Sequence, residues 1–189
     1  NYTHTSYLAQ NGNVINQVKV ELEHNWHKGV LREWERTLQG FGFSDFSETV
    51  KDILGRGKNK SGVRVYIPRG SELLDVIGMP QEGVKKLYDS TVDRAYYYFE
   101  MEVSPQTSRK VTLQYKLPFK LNVGEVDTYK FYYEPQIGAK NVKLTKVIRG
   151  DVGLKNHKNF PEQELSPAQT IEYVVNGTNS QYFAGIWGN

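Results

Sequence analysis

Glu100 and Glu102 are the residues in this 189-residue chain whose type and spacing come nearest to a catalytic pair. They stand two positions apart in the alternating run Arg94 to Val103, which sets them on one face about 7 Å apart by strand rise. A glycoside hydrolase divides general-acid and nucleophile or base roles between two carboxyls at such a separation. A solvated strand face opposite a buried one carries the same spacing, and the surrounding pattern favours that plainer reading. Four histidines, His4, His24, His27 and His157, are the other groups able to ligate a metal or move protons. His24 and His27 are close, but no H-E-x-x-H set surrounds them, and ordinary strand and loop histidines fit better than a metal site. No G-x-S-x-G elbow occurs, and Gly55-Arg56-Gly57-Lys58 is too short for a phosphate loop and lacks the Ser/Thr that should follow. No catalytic, cofactor-binding or metal-ligating residue is therefore assigned. The expectation is a domain that is not an enzyme and uses no cofactor.

The chemistry that the residues do suggest is stacking. The chain has 13 tyrosines, and Tyr96, Tyr98 and Tyr132 all fall on strand faces opposite an apolar stripe. Flat tyrosine rings pack against the apolar faces of sugars, so these three, with Trp34, form a candidate glycan-binding set. The competing reading is that the rings cover the second face of a sheet, beneath a helical insertion or against a neighbouring domain. It needs no ligand and is the one favoured. A lysine and an asparagine or aspartate facing each other across strands can also condense to an internal isopeptide crosslink, as in some surface adhesins, but the sequence selects no such set.

These side chains need strands to position them. On Arg94 to Val103, Ala95, Tyr97, Phe99, Met101 and Val103 form one face, against Arg94, Tyr96, Tyr98, Glu100 and Glu102. On Arg109 to Leu117, Val111, Leu113, Tyr115 and Leu117 face in; on Asp127 to Glu134, Tyr129, Phe131 and Tyr133 alternate with Lys130, Tyr132 and Glu134. This period of two is the signature of half-buried antiparallel sheet. Upstream, Thr3 to Gln10 and Val14 to His24 form a hairpin about Asn11-Gly12. Gly62 to Pro68, Ser71 to Ile77, Gly83 to Tyr88, Asn141 to Arg149 and Thr170 to Val175 read as further strands, separated by turn residues at roughly 8 to 15 residue intervals. Gly150 to Pro167 is polar and reads as a loop, and Ser180 to Asn189 as a strand or a docked tail. Between Asn25 and Lys60 the period changes. Val30, Leu31, Trp34 and Leu38 recur at helical spacing, and a second piece begins at Ser44 or Ser47, with Phe46, Val50, Ile53 and Leu54 on one face and Gly55 as terminator. The fold class expected is mainly β: an immunoglobulin-like antiparallel β-sandwich with one or two short inserted helices. It is read as one domain over 1–189, with the helical insertion at about 25–60 and a C-terminal extension at about 150–189. The expected core is Val18, Val20, Leu22, Val63, Val65, Tyr97, Phe99, Met101, Val111, Leu113, Tyr115 and Phe131.

The bulk numbers narrow the class. Charged residues are 24%, aromatics 13% and the net charge +3, an ordinary globular balance with basic and acidic residues interspersed. Arg56, Lys58 and Lys60 make the densest basic stretch and read as a solvated loop; no RNP-like module is present, so nucleic acid is not expected as a partner. With no cysteine, disulfides, thiolate metal sites and cysteine nucleophiles are excluded. No stretch reaches the ~18 apolar residues of a membrane span, and no signal peptide is visible. The expectation is a piece of a longer polypeptide, with membrane contact only through an anchor outside it. Asn59-Lys60-Ser61 and Asn176-Gly177-Thr178 match the glycosylation sequon, which matters only in a glycosylating host.

The segment from Val63 to Pro118 adds a resemblance. It reads VRVYIPRGSELLDVIG, then the tyrosine-rich strand, then VSPQTSRKVTLQYKLP, and is preceded by NGNVINQVKVELEHN. It resembles the C-terminal region of a family of uncharacterised, membrane-anchored bacterial envelope proteins, in which a VYVPKGSELL-type strand-turn-strand is followed by a strand pair and a Y-L-P ending. Similarity runs from about Thr3 to Ile148; the Asn25 to Lys60 insertion and the Gly150 to Asn189 tail depart from it. The resemblance implies an extracytoplasmic, cell-surface location and carries over no catalytic residue. The function expected is a non-enzymatic accessory or interaction domain, its partner a cell-wall or exopolysaccharide glycan or a neighbouring domain of the parent protein. One alternative is a carbohydrate-binding module; the other is an enzyme of cell-wall or glycan processing using Glu100 and Glu102 or His24.

Overall fold

The computed structural model describes residues 1–43, 46–135, 142–166 and 169–189. Among them twelve strands and two short helices make the chain mainly β, with its strands in three sheets. The strands are β1 (Tyr2–Leu8), β2 (Asn13–Glu23), β3 (Asn59–Ile67), β4 (Glu72–Ile77), β5 (Lys85–Asp89), β6 (Arg94–Val103), β7 (Ser108–Lys120), β8 (Val126–Tyr133), β9 (Lys143–Gly150), β10 (Lys155–Phe160), β11 (Thr170–Asn176) and β12 (Gln181–Gly188). The helices are α1 (Lys28–Gly40) and α2 (Glu48–Lys51), the latter running into a π-helical turn, Asp52–Arg56. The chain divides into two compact units.

The first unit comprises Asn1–Val20, Ile67–Met79 and Val111–Asn189. Its larger sheet has the order β11-β9-β1-β2-β7-β4 and its smaller one β10-β12-β8. The β1–β2 hairpin forms where expected. Asn11 Oδ1 accepts from Asn13 N at 3.0 Å, and Gly12 takes φ +78°, a left-handed conformation open to glycine. A Cβ there would also stand 2.2 Å from the Leu121 carbonyl oxygen, so the position is closed to a side chain twice over. Beside this hairpin β1 pairs in parallel with β9, whereas the expectation was antiparallel throughout. A parallel partner needs a long connection, and here it comes from far along the chain, where no local turn signal announces it.

The two sheets of this unit meet through alternating side chains. Leu8, Val14, Val111, Leu113, Leu144, Ile148 and Ile171 are buried from the larger sheet, and Phe183 and Trp187 from the smaller one. Phe183 lies 4.8 Å from the Tyr173 ring, centroid to centroid. Each such side chain contributes about 1.5–3 kcal/mol on burial, which explains stability without disulfides. Trp187 fits because two glycines face it, Gly150 on β9 and Gly185 on its own strand.

The Gly150 to Pro167 stretch is not only loop: β10 occupies its middle (Pro167 itself lies outside the described residues). β10 is an edge strand pairing only with β12, with a register shift between Asn156 and Lys158, so it carries polar residues and shows no clean alternation. Residues 181–188 form a strand, one of the two readings open from the sequence. The expected strand from Asn141 begins at Lys143, with Asn141 outside the described residues.

The second unit comprises Glu21–Tyr66 and Pro80–Lys110. Its sheet has the order β3-β6-β5, with β6 in the centre. The inward residues of β6 are all buried, as its alternation requires. Both helical pieces form. His27 caps α1 by accepting from Gly29 N, and Ser47 caps α2 by accepting from Val50 N at 3.3 Å; Ser44, the other proposed start, lies outside the described residues. Gly55, the expected terminator, instead kinks the π-helical turn from within at φ +107°, and the turn's C-cap is Gly57. Of the expected core, Val18, Val20, Tyr97, Phe99, Met101, Val111, Leu113 and Tyr115 are buried, while Leu22, Val63, Val65 and Phe131 are only half-buried. Val63 and Val65 lie on a strand at the sheet's edge, where coverage is incomplete.

Candidate functional site

The outer face of β3-β6-β5 gathers exposed and half-buried aromatic and charged groups. Alternation on β6 turns Tyr96 and Tyr98 outward, and on β3 it turns Arg64 and Tyr66 the same way. The Tyr66 and Tyr96 rings lie 5.4 Å apart at 47°, and the Arg64 guanidinium sits 5.2 Å above the Tyr96 ring. From β5, Leu87 stands opposite Tyr96 and Lys85 opposite Tyr98. The Tyr66 hydroxyl donates to Asp89 Oδ2 at 2.9 Å, and Thr91 donates to Asp89 Oδ1 from both its N–H and its hydroxyl. The Thr91 hydroxyl, then Tyr66, hold the Asp89 carboxyl below its ordinary range, so it remains a charged acceptor. A hydrogen bond with Tyr66, followed by a charge interaction with Tyr96, raises Arg64. The Tyr98 ring sits against Gly62 of β3, where a Cβ would stand 3.0 Å from it, and its hydroxyl donates to Glu100 Oε1 at 3.0 Å. That bond raises the Tyr98 phenol. The result is a tilted aromatic pair with a guanidinium over one ring and an ammonium and a carboxylate beside it. It can stack a ring and hydrogen-bond the groups at its rim.

The other two expected glycan residues are not part of this face. Tyr132 belongs to the first unit, on the outer side of β8, where it pairs with Tyr182 of β12. The Tyr182 ring is 6.2 Å from Phe160 of β10, so Tyr132, Tyr182 and Phe160 make a separate exposed aromatic strip. Trp34 is exposed on α1, and no ring contact joins it to Tyr96 or Tyr98 among the described residues. Arg64, Tyr66 and Asp89 were not singled out from the sequence. The signal for Arg64 and Tyr66 was present in GVRVYIP, where they alternate with Val63 and Val65.

The candidate acid–base groups are occupied by ordinary structural contacts. Glu102 bonds Lys58 Nζ at 2.6 Å and pairs with Lys60 at 3.5 Å; the Lys58 bond is the main cause holding its carboxyl below the usual range, the reverse of what a general acid needs. Glu100 accepts from Tyr98. His24 Nε2 meets the Gly57 carbonyl at 3.0 Å while its Nδ1 accepts from Trp26 N at 3.4 Å. Among the described residues, no cluster of three His, Asp or Glu side chains is placed to hold a metal, and no helix is long and apolar enough to cross a membrane.

A second constellation lies inside the first unit. Lys146 is completely buried (0% exposed), at an inward position of β9 between Leu144 and Ile148. Its Nζ lies 2.6 Å from Ser6 Oγ and 2.9 Å from His4 Nδ1, with the Phe131 and Tyr129 ring centroids 4.6 and 5.0 Å away. Ser6 Oγ donates to Asn16 Oδ1 at 2.7 Å and lies 2.6 Å from the Tyr129 hydroxyl. Strand register assembles the set: Lys146 stands opposite His4 across β9/β1, and Asn16 opposite Ser6 across β1/β2. Burial pushes the Lys146 amine well below its ordinary value; it does the same to His4, helped by the Lys146 charge, and raises the Tyr129 phenol to about 12. Among the described residues no carboxylate pairs with Lys146. This cluster was not identified from the sequence. Its signal is polar residues at inward phase: His4 and Ser6 in line with Leu8, and Lys146 in line with Leu144.

Comparison of the chain with family models and with curated proteins returned no match.

Proposed function

We propose that this chain is a non-enzymatic interaction domain of a bacterial cell-envelope protein, an immunoglobulin-like β-sandwich working outside the cytoplasm, and that it binds a wall or exopolysaccharide glycan through the outer face of β3-β6-β5. The observation that carries the reading is the outward-facing pair of exposed Tyr66 and half-buried Tyr96 beside Arg64, with Asp89 fixed at its edge. Sugar rings present apolar C–H faces to aromatic rings and hydroxyls to the groups around them, and this face supplies both. The envelope location rests on the resemblance carried by VRVYIPRGSELLDVIG and VSPQTSRKVTLQYKLP. A hydrolytic role is disfavoured by the engagement of Glu100, Glu102 and His24 in bonds that hold the fold together.

The test is a glycan array of wall and capsular fragments, followed by calorimetry on the best binder. Tyr96→Ala should weaken binding at least about tenfold, equivalent to ~1.4 kcal/mol, and Tyr132→Ala should leave it unchanged. If no glycan is retained, or if Tyr96→Ala binds as the parent does, the face is a covering surface for a neighbouring domain.

A further inference from the structure

The geometry points to a covalent crosslink inside the first unit: an amide joining Lys146 Nζ to Asn16 Cγ, formed by the folded chain itself. A lysine buried to 0% exposure without a carboxylate partner is an expensive arrangement, because a dry interior disfavours its cation. Acylation removes the ionisable group and with it the cost. The partner is nearby. Lys146 Nζ is 2.6 Å from Ser6 Oγ, which is itself 2.7 Å from Asn16 Oδ1, so one hydroxyl separates amine and carboxamide.

Each step of the condensation has a residue in place. The uncharged amine attacks Asn16 Cγ, and a C–N bond forms while the carbonyl electron pair moves onto Oδ1. The Tyr129 hydroxyl, 3.5 Å from Oδ1, donates to that developing oxyanion. Burial shifts both groups towards the needed form, the Lys146 amine down and the Tyr129 phenol up. The proton lost by the attacking nitrogen goes to Ser6 Oγ, which gives its own proton to Oδ1; as the tetrahedral intermediate collapses, that proton leaves with Nδ2. The Cγ–Nδ2 bond then breaks and ammonia leaves. A primary amine and a primary amide become a secondary amide and ammonia, with no change of oxidation state and no co-reactant. His4, at 2.9 Å from Nζ, positions the amine. The product ties β9 to β2 across β1, the strand between them. β1 is then locked into the sheet.

Intact-mass spectrometry of the purified chain decides the matter. The expected mass is lower than that of the sequence by one ammonia. Digestion should yield the Asn16 peptide joined to the Lys146 peptide, with no tryptic cleavage after Lys146. Asn16→Ala and Lys146→Met should each restore the full mass expected for that variant. The parent mass alone remains decisive if either variant fails to fold. A parent chain of full mass with free Asn16 and Lys146 peptides overturns the assignment. So does a mass deficit that maps to another pair, including an ester at Ser6.

Discussion

Replacing Gly150 with alanine tests how the interior of the first unit is built. Trp187 is fully buried, and a Cβ at Gly150 would stand 2.6 Å from its Cζ3 and 3.1 Å from its Cε3. Ordinary contact needs about 3.5–4.0 Å, so the indole would have to move by about an ångström. It has little room to do so, because a Cβ at Gly185 would already stand 2.4 Å from its Nε1. Overpacking of a tight core costs about 1–3 kcal/mol. For a chain of this size that corresponds to a fall in Tm of roughly 2–12 °C, at about 2–4 °C per kcal/mol. The assay is urea unfolding followed by circular dichroism, with calorimetry for Tm. Trp187→Phe in the Gly150→Ala background should recover part of the loss, giving a coupling of at least about 0.5 kcal/mol between the two sites. A Gly150→Ala protein within about 0.5 kcal/mol of the parent, with no coupling to position 187, would refute the packing argument.

Gly12→Ala should lower stability by about 1–3 kcal/mol in the same urea assay, since it meets both a left-handed backbone and the Leu121 carbonyl. Ser47→Ala removes the cap of α2 and should increase amide exchange at Glu48–Lys51, with little change in the global unfolding midpoint because no residue of that helix is buried. In Asn16→Ala the Lys146 amine remains free and buried. The unfolded chain binds a proton there up to a pKa near about 10.5, and burial in the folded chain lowers that affinity. The stability of that variant should therefore rise from pH 7 towards pH 10. The parent, with its amine acylated, should show no such rise, and parallel pH profiles in urea would contradict this. Above pH 10 Tyr129 acts with the opposite sign. Its folded value of about 12 exceeds the unfolded one, so stability falls as the unfolded phenol ionises.

Local chemistry is legible in this sequence wherever one side chain decides an element. Asn11-Gly12 fixes a hairpin because the turn needs an Asx bond and a left-handed residue, and both are written side by side. The stripes of β6 and β7 are legible because β6 buries one face along its length and β7 does so over Val111 to Leu117, so period two survives there without interruption. β10 is not, because an edge strand with a register shift tolerates lysine and asparagine on either side. The β1–β9 pairing is not, because it joins strands separated by most of the chain and nothing local encodes it. The aromatic face was half legible. Tyr96 and Tyr98 show their orientation by alternation, but Arg64, Tyr66 and Asp89 join them only once β3 and β5 are known to flank β6. The buried Lys146 cluster was hidden for the same reason. Its members come from β1, β2, β8 and β9, and each alone reads as an ordinary polar residue of a strand.

The most direct measurement of the proposed function is a titration of the isotopically labelled protein with the best-binding wall glycan, followed by backbone and side-chain NMR shifts. Binding at the β3-β6-β5 face should move Arg64, Tyr66, Leu87, Tyr96 and Tyr98 together, saturating with a single affinity, while Tyr132 and Tyr182 stay fixed. Shifts centred on Tyr132, Tyr182 and Phe160, or none at saturating glycan, would contradict it.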